Sequence, residues 1–154
     1  MARQQAAQIA AALGVLLQRR FRSSVYANLT TNVHRAVDPA AYPVLSGVAR
    51  LGPISAATLG HEIGLDRSIV SRRAAALIGA GLLQAESDPA DARATLLSLT
   101  DAGRTVVATL RRRLADVMDD HLRDWSDQDV AHFAALLSRF VEAGPLTADG
   151  PERQ

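Results

Sequence analysis

The chain has 154 residues, enough for one domain with a sizeable core, or for one domain with dimerising extensions. Hydrophobic residues make up 48% and charged residues 21%, which argues for a packed core and against wholesale disorder. There is no Cys, so disulfide scaffolds, thiolate zinc sites and thiol redox sensing are excluded, and 4% aromatic content argues against a base-stacking single-strand binder. The formal net charge of +1 conceals an uneven split. Residues 1–113 hold fourteen Arg against seven acids, and residues 114–154 hold three Arg against nine acids. A basic body followed by an acidic section permits contact with a nucleic acid. The N-terminal apolar stretch is short and broken by Gln, so it reads as neither signal peptide nor membrane span. The expectation is a cytoplasmic protein with no membrane partner.

Ile9, Leu13, Leu17, Phe21, Val25, Leu29 and Val33 recur every fourth position, which predicts one long helix over 8–34. Asp38-Pro39 reads as an N-cap and first helical residue, opening a second helix from Ala40 to Arg50 that stops at Gly52-Pro53. Ser55 caps a third, short helix ending at Gly64. Asp66 caps a fourth that runs to Ala80, with Leu65 and Val70 as a hydrophobic staple. The periodicity then changes. Leu82–Ser87 and Ala94–Leu99 read as two strands joined by the turn-forming DPADAR, a β-hairpin. Thr100-Asp101 opens a fifth helix with Val106, Val107, Leu110, Leu114, Val117, Met118 and Leu122 as its apolar set. Ser126 with Asp129 forms a capping box variant for a sixth helix ending near Gly144, and Trp125 with Val130 a second staple. The last ten residues, 145–154, read as a flexible tail.

This order predicts a mainly α fold with a small β-hairpin wing: a winged helix-turn-helix over 37–100, plus a helical dimerisation layer from 1–36 and 101–144. The long first helix and the last two helices carry more apolar surface than a single winged module covers, which suits a homodimer.

On the fourth helix, burial of Val70, Ala74 and Leu77 turns Ser68 and Arg72 outward. In a helix-turn-helix the start of this helix enters the major groove of double-stranded DNA. Ser68 and Arg72 are therefore the candidates for base edges, and Ile69 for a thymine methyl. Arg67, Ser71 and Arg73 suit phosphates. Arg93, near the hairpin tip, suits a narrow minor groove. The bland alternative is a solvated basic face paired with Asp66 or Asp91.

The segment from Gly52 to Arg104 carries LDRSIVSR on the fourth helix, GLL after it, DPADAR at the hairpin and LSLTDAGR leading into the fifth helix. In these pieces it resembles the MarR family of bacterial transcriptional regulators, and the flanking helices fit the same arrangement. The resemblance implies a homodimeric repressor on a palindromic operator, released by a small aromatic or lipophilic effector. It matches Arg93 to the family's wing Arg, Asp91 to the Asp that orients it, and Arg72 to the recognition-helix Arg. It places a ligand crevice between the dimerisation layer and the winged module, with Arg22, Tyr26, His34 and Tyr42 as candidate lining. Three departures stand out. Ala92 replaces a frequent Arg, Arg73 a frequent aliphatic residue, and AAALIGAG a run that is usually charged. The neutral end of the fourth helix leaves an alternative, a winged-helix protein-interaction module without sequence-specific DNA binding.

No cofactor is expected, and no catalytic activity, since no phosphate-binding Gly loop or nucleophile elbow occurs. His61-Glu62 does not begin an HExxH motif because Leu65 stands in the last position. His121 with Asp116, Asp119 and Asp120 reads as a solvated helix face rather than a metal site.

Overall fold

The computed structural model describes residues 2–88 and 94–144. The hairpin tip, with Asp91, Ala92 and Arg93, and the tail 145–154 lie outside the described residues. Packing divides the chain into two compact units, Met1–Leu114 and Ala115–Gln154.

The first unit opens with α1 (Ala2–Leu16) and α2 (Arg19–Thr30), not with one continuous helix. The break lies at Leu17-Gln18, where Gln18 is extended with φ −61° and ψ 136°. Helix is weak on both sides of it. Gly14 costs about 1 kcal/mol relative to Ala. Arg19 and Arg22 repel at i, i+3 and crowd positive charge onto the positive end of the α2 dipole. Among the α1 side chains that are described, from Arg3 on, none is buried to offset this, and Ile9, Leu17 and Phe21 are exposed. Only the lower part of the apolar stripe reaches the core, through half-buried Val25, buried Leu29 and half-buried Val33.

Asp38 caps a turn rather than the next helix. Its Oδ1 accepts from the amides of Ala40 (3.0 Å) and Ala41 (2.6 Å), and its carbonyl from Ala41 and Tyr42. Helix α3 then spans Tyr42–Leu51, with Pro43 in its first turn, and so starts later than Asp38-Pro39 suggested. Pro43 lacks an N–H, which costs nothing in a first turn but a hydrogen bond in a helix interior. After Gly52 comes β1 (Ile54–Ser55), a two-residue strand the apolar pattern does not announce. Helix α4 (Ala56–Ile63) is capped by the Ser55 hydroxyl, which accepts from Thr58 N at 3.1 Å. Helix α5 spans Arg67–Gly79, and the hairpin strands are β2 (Leu83–Ser87) and β3 (Thr95–Leu99). The sheet is antiparallel in the order β1-β3-β2, with Ile54 opposite Leu97 and Leu83 opposite Leu99.

Helix α6 (Asp101–Leu122) starts against the base of the hairpin. Thr100 Oγ1 accepts from Gly103 N and donates to Gly81 O at 2.6 Å. A Cβ at Gly103 would collide with the carbonyl oxygen of Leu82, so only Gly allows this approach. The core gathers Leu29, Val44, Leu45 and Val48 with Leu59, Val70, Leu77, Leu82, Leu83, Leu97, Val107 and Leu110, all in the first unit. Each such side chain contributes about 1.5–3 kcal/mol on burial.

The second unit holds the end of α6 and α7 (Asp127–Glu142). Ser126 Oγ accepts from Asp129 N at 3.1 Å and lies 2.7 Å from Asp129 Oδ2, the expected cap. The Trp125 ring packs on Phe133 with centroids 5.5 Å apart. No residue of α7 is buried, and Phe133, Leu136, Leu137, Phe140 and Val141 are exposed.

Candidate nucleic-acid interface

Helices α4 and α5 meet at a tight corner. Gly64 adopts φ 66° in the left-handed region, which a side chain rarely tolerates. A Cβ on Gly60 would sit 2.6 Å from the Leu65 carbonyl oxygen, so the corner closes against bare backbone. Val70 and Leu77 are fully enclosed and Ala74 nearly so, which sets the inward line of α5. Arg67, Ser68, Ile69, Ser71 and Arg72 are exposed on the rest of the helix. Asp66 occupies the N-cap position in an extended conformation, but its carboxylate makes no capping hydrogen bond, contrary to the reading of its sequence position. The start of α5 is held instead by the Asp66 carbonyl oxygen, which accepts from Ile69 N at 2.9 Å and Val70 N at 3.0 Å.

Arg73 stands apart from the other five. It is half-buried, and its Nη1 lies 3.2 Å from Asp38 Oδ2. Sequence spacing set Arg73 at the border of the buried side as a candidate for phosphate; among the described residues its guanidinium is ion-paired with Asp38 rather than with Asp66. Asp91 and Arg93 lie outside the described residues; the hairpin is paired up to Asp88 N and Ala94 O at 2.9 Å. Between α5 and the hairpin runs a groove of about 490 Å³, bordered by Arg67, Ser71 and Ile78 on one side and Ala85 and Thr95 on the other.

A second cavity, of about 430 Å³, lies among α2, α3 and α6. Tyr26 and Tyr42 line it, their rings 4.9 Å apart and tilted by 45°. Burial, then the neighbouring Tyr26 phenol, raises the Tyr42 pKa above its ordinary 10.0, while Arg111 opposes the shift. Of the other two candidate ligand residues, Arg22 is exposed and does not line this cavity. His34 does not line it either; its Nδ1 accepts from Ala36 N at 3.1 Å and shapes the turn after α2. Ser46, Arg50 and Arg111 do line it. Helical spacing could have found them. Ser46 and Arg50 follow Tyr42 at four and eight residues, and Arg111 falls between the core-facing Val107 and Leu114.

Arg113 donates through Nη1 to the carbonyl oxygens of Leu29 and Thr31. It thus neutralises the negative end of α2, as a C-terminal cation should. Among the described residues no group of three or more His, Asp or Glu is placed to hold a metal ion, and no helix is long and apolar enough to cross a membrane.

Residues 37–94 match the model of the MarR family. The chain is 29% identical over 122 residues to the uncharacterized HTH-type transcriptional regulator YxaD of Bacillus subtilis, covering 79% of this chain and 85% of that protein. The PcaV transcriptional regulator of Streptomyces coelicolor, solved in complex with its natural ligand, is 31% identical with a TM-score of 0.57, covering 81% of this chain and 89% of PcaV. The apo form of MarR from E. coli shares the fold at 16% identity, with a TM-score of 0.70 over 85% of this chain and 95% of MarR. A winged helix built from α4, α5 and the β2–β3 hairpin, with these relatives, shows that the chain belongs to the MarR family of transcriptional regulators.

Proposed function

We propose that the protein is a cytoplasmic, homodimeric repressor that binds a palindromic operator in double-stranded DNA and is released by a small aromatic or lipophilic effector. The observation that carries the reading is the two-sided character of α5: Val70, Ala74 and Leu77 inward, and Arg67, Ser68, Ile69, Ser71 and Arg72 outward. In this reading Ser68 and Arg72 meet base edges and Ile69 a thymine methyl. Arg67, Ser71 and the N-terminal end of α5 meet phosphates. Asp91 and Arg93 complete the contact at the wing. The exposed apolar side chains of α7 supply the contact with a second copy.

The cavity lined by Tyr26 and Tyr42 takes the effector. Its apolar wall, two phenols and two guanidiniums suit an aromatic ring bearing an acidic group. PcaV, crystallised with a ligand of its own, supports ligand control here. The test is selection of bound duplexes from a random pool, followed by titration of the selected duplex and a scrambled one at several salt concentrations. A two-fold symmetric sequence bound far more tightly than the scrambled duplex is expected. Equal affinity for both would overturn the reading in favour of a protein-interaction module.

A further inference from the structure

The Asp38–Arg73 pair spans 35 residues, whereas the other ion pairs among the described residues join positions three apart. Asp38 is held through both carboxylate oxygens. Oδ1 accepts from Ala40 and Ala41 in the turn before α3, and Oδ2 from Arg73. The carboxylate is therefore fixed to the α3 side of the module before it reaches α5. The inward anchors of α5, Val70, Ala74 and Leu77, form a single line along the helix. Apolar contact along one line is non-directional and resists translation better than roll about that line. Arg73 lies to one side of the line, where a directional bond opposes roll.

We propose that Asp38 tethers α5 laterally through Arg73, and that this pair is a positioning device for base recognition although neither residue touches a base. The inference rests on the reading of α5 as the DNA-reading helix. Its logic is geometric. Roll of roughly 10° displaces a side-chain tip about 6 Å from the helix axis by about 1 Å. A bidentate contact is held within about 0.5 Å of its productive geometry. Loss of the tether therefore blurs the discrimination made by Ser68 and Arg72. The phosphate contacts, which tolerate wider geometry, remain.

The test uses Asp38→Asn, which keeps an acceptor oxygen for Ala40 and Ala41, Arg73→Gln, and the double variant. Each is titrated with the duplex selected by the parent protein and with a random duplex, over a salt series. Each single variant should lower the ratio of selected to random affinity by about fivefold. The double variant should be no worse, and the salt slope should stay at the parent value. The melting temperature should shift by no more than about 2 °C, because the pair is half-exposed.

If Arg73 instead touches phosphate, Arg73→Gln weakens every duplex alike and lowers the slope of a dimer by about two. Asp38→Asn then strengthens every duplex by freeing the cation. Either result, or additive losses in the double variant, overturns the tether. A parent protein that fails to discriminate between duplexes overturns the DNA-reading assignment itself, which the parent titration alone reveals.

Discussion

Arg72 lies two residues beyond fully buried Val70, so its guanidinium leaves the helix on the side opposite the core. Its removal should not disturb packing. Arg72→Ala is expected to cost about 1–3 kcal/mol on the preferred duplex and to relax preference at one base pair per half-site. Titration against single-base variants of the selected duplex checks this; a uniform loss on all of them would make Arg72 a phosphate contact. Tyr42 gives a prediction about stability. Burial, chiefly, raises its pKa above 10.0. As pH climbs through the ordinary phenol value, the unfolded chain gives up this proton while the folded chain keeps it. Stability that is intact below about pH 10 is then lost as pH rises toward the folded pKa. Between pH 9 and 11 the melting temperature of Tyr42→Phe should therefore fall less steeply than that of the parent. Parallel curves would show that the phenol is not the group responsible.

At the scale of elements, the tightest joint is the start of α6 against the hairpin base. Gly103→Ala places a methyl group on the Leu82 carbonyl, which must move together with β2. A loss of about 3 kcal/mol is expected, read as a lower denaturant midpoint. An unchanged midpoint would mean that the joint relaxes freely. Elements whose signals are local were legible in the sequence. Ser55 and Ser126 cap α4 and α7 as their spacing implies, Gly64 turns the corner, and the two hairpin strands lie where the change of periodicity sets them. Elements decided by competition or by distant contacts were not. An every-fourth-residue stripe continues across Leu17-Gln18 because periodicity does not register the repulsion among Arg19, Arg20 and Arg22. Asp38 faces two possible helix starts, and Pro43 decides between them. Strand β1 exists because Leu96 and Leu97 pair with it across the fold. The same limit applies to the sites. The outward face of α5 was readable from a 100° step, but the pairing of Arg73 with Asp38 joins two elements that no local pattern connects.

For the molecule as a whole, the contrast between units is the informative quantity. The first unit encloses its core, whereas α7 buries nothing. If α7 carries the proposed contact with a second copy, Leu137→Asp should leave the first unit folded while shifting the proposed dimer to monomer in sedimentation. Binding to the symmetric duplex should fall with it, since each half-site would then be bound alone. A variant that remains dimeric would relocate the subunit contact. The charge distribution follows the same division. The basic residues of α5 belong to the first unit, and the acids at 116, 119, 120, 124, 127 and 129 to the second. Phosphate repels the acidic region and so disfavours non-specific docking through it.

The line formed by Val70, Ala74 and Leu77 also bears on how such a regulator changes over time. Folding draws on three inward positions of α5, while Ser68, Ile69, Ser71 and Arg72 are excluded from the core. Substitution at these four positions alters the surface offered to a duplex at little cost in stability. On the proposed reading of α5, operator preference can therefore drift, or be rewritten by design, one side chain at a time on an unchanged scaffold. A descendant could acquire a new set of target genes before its fold registered any difference.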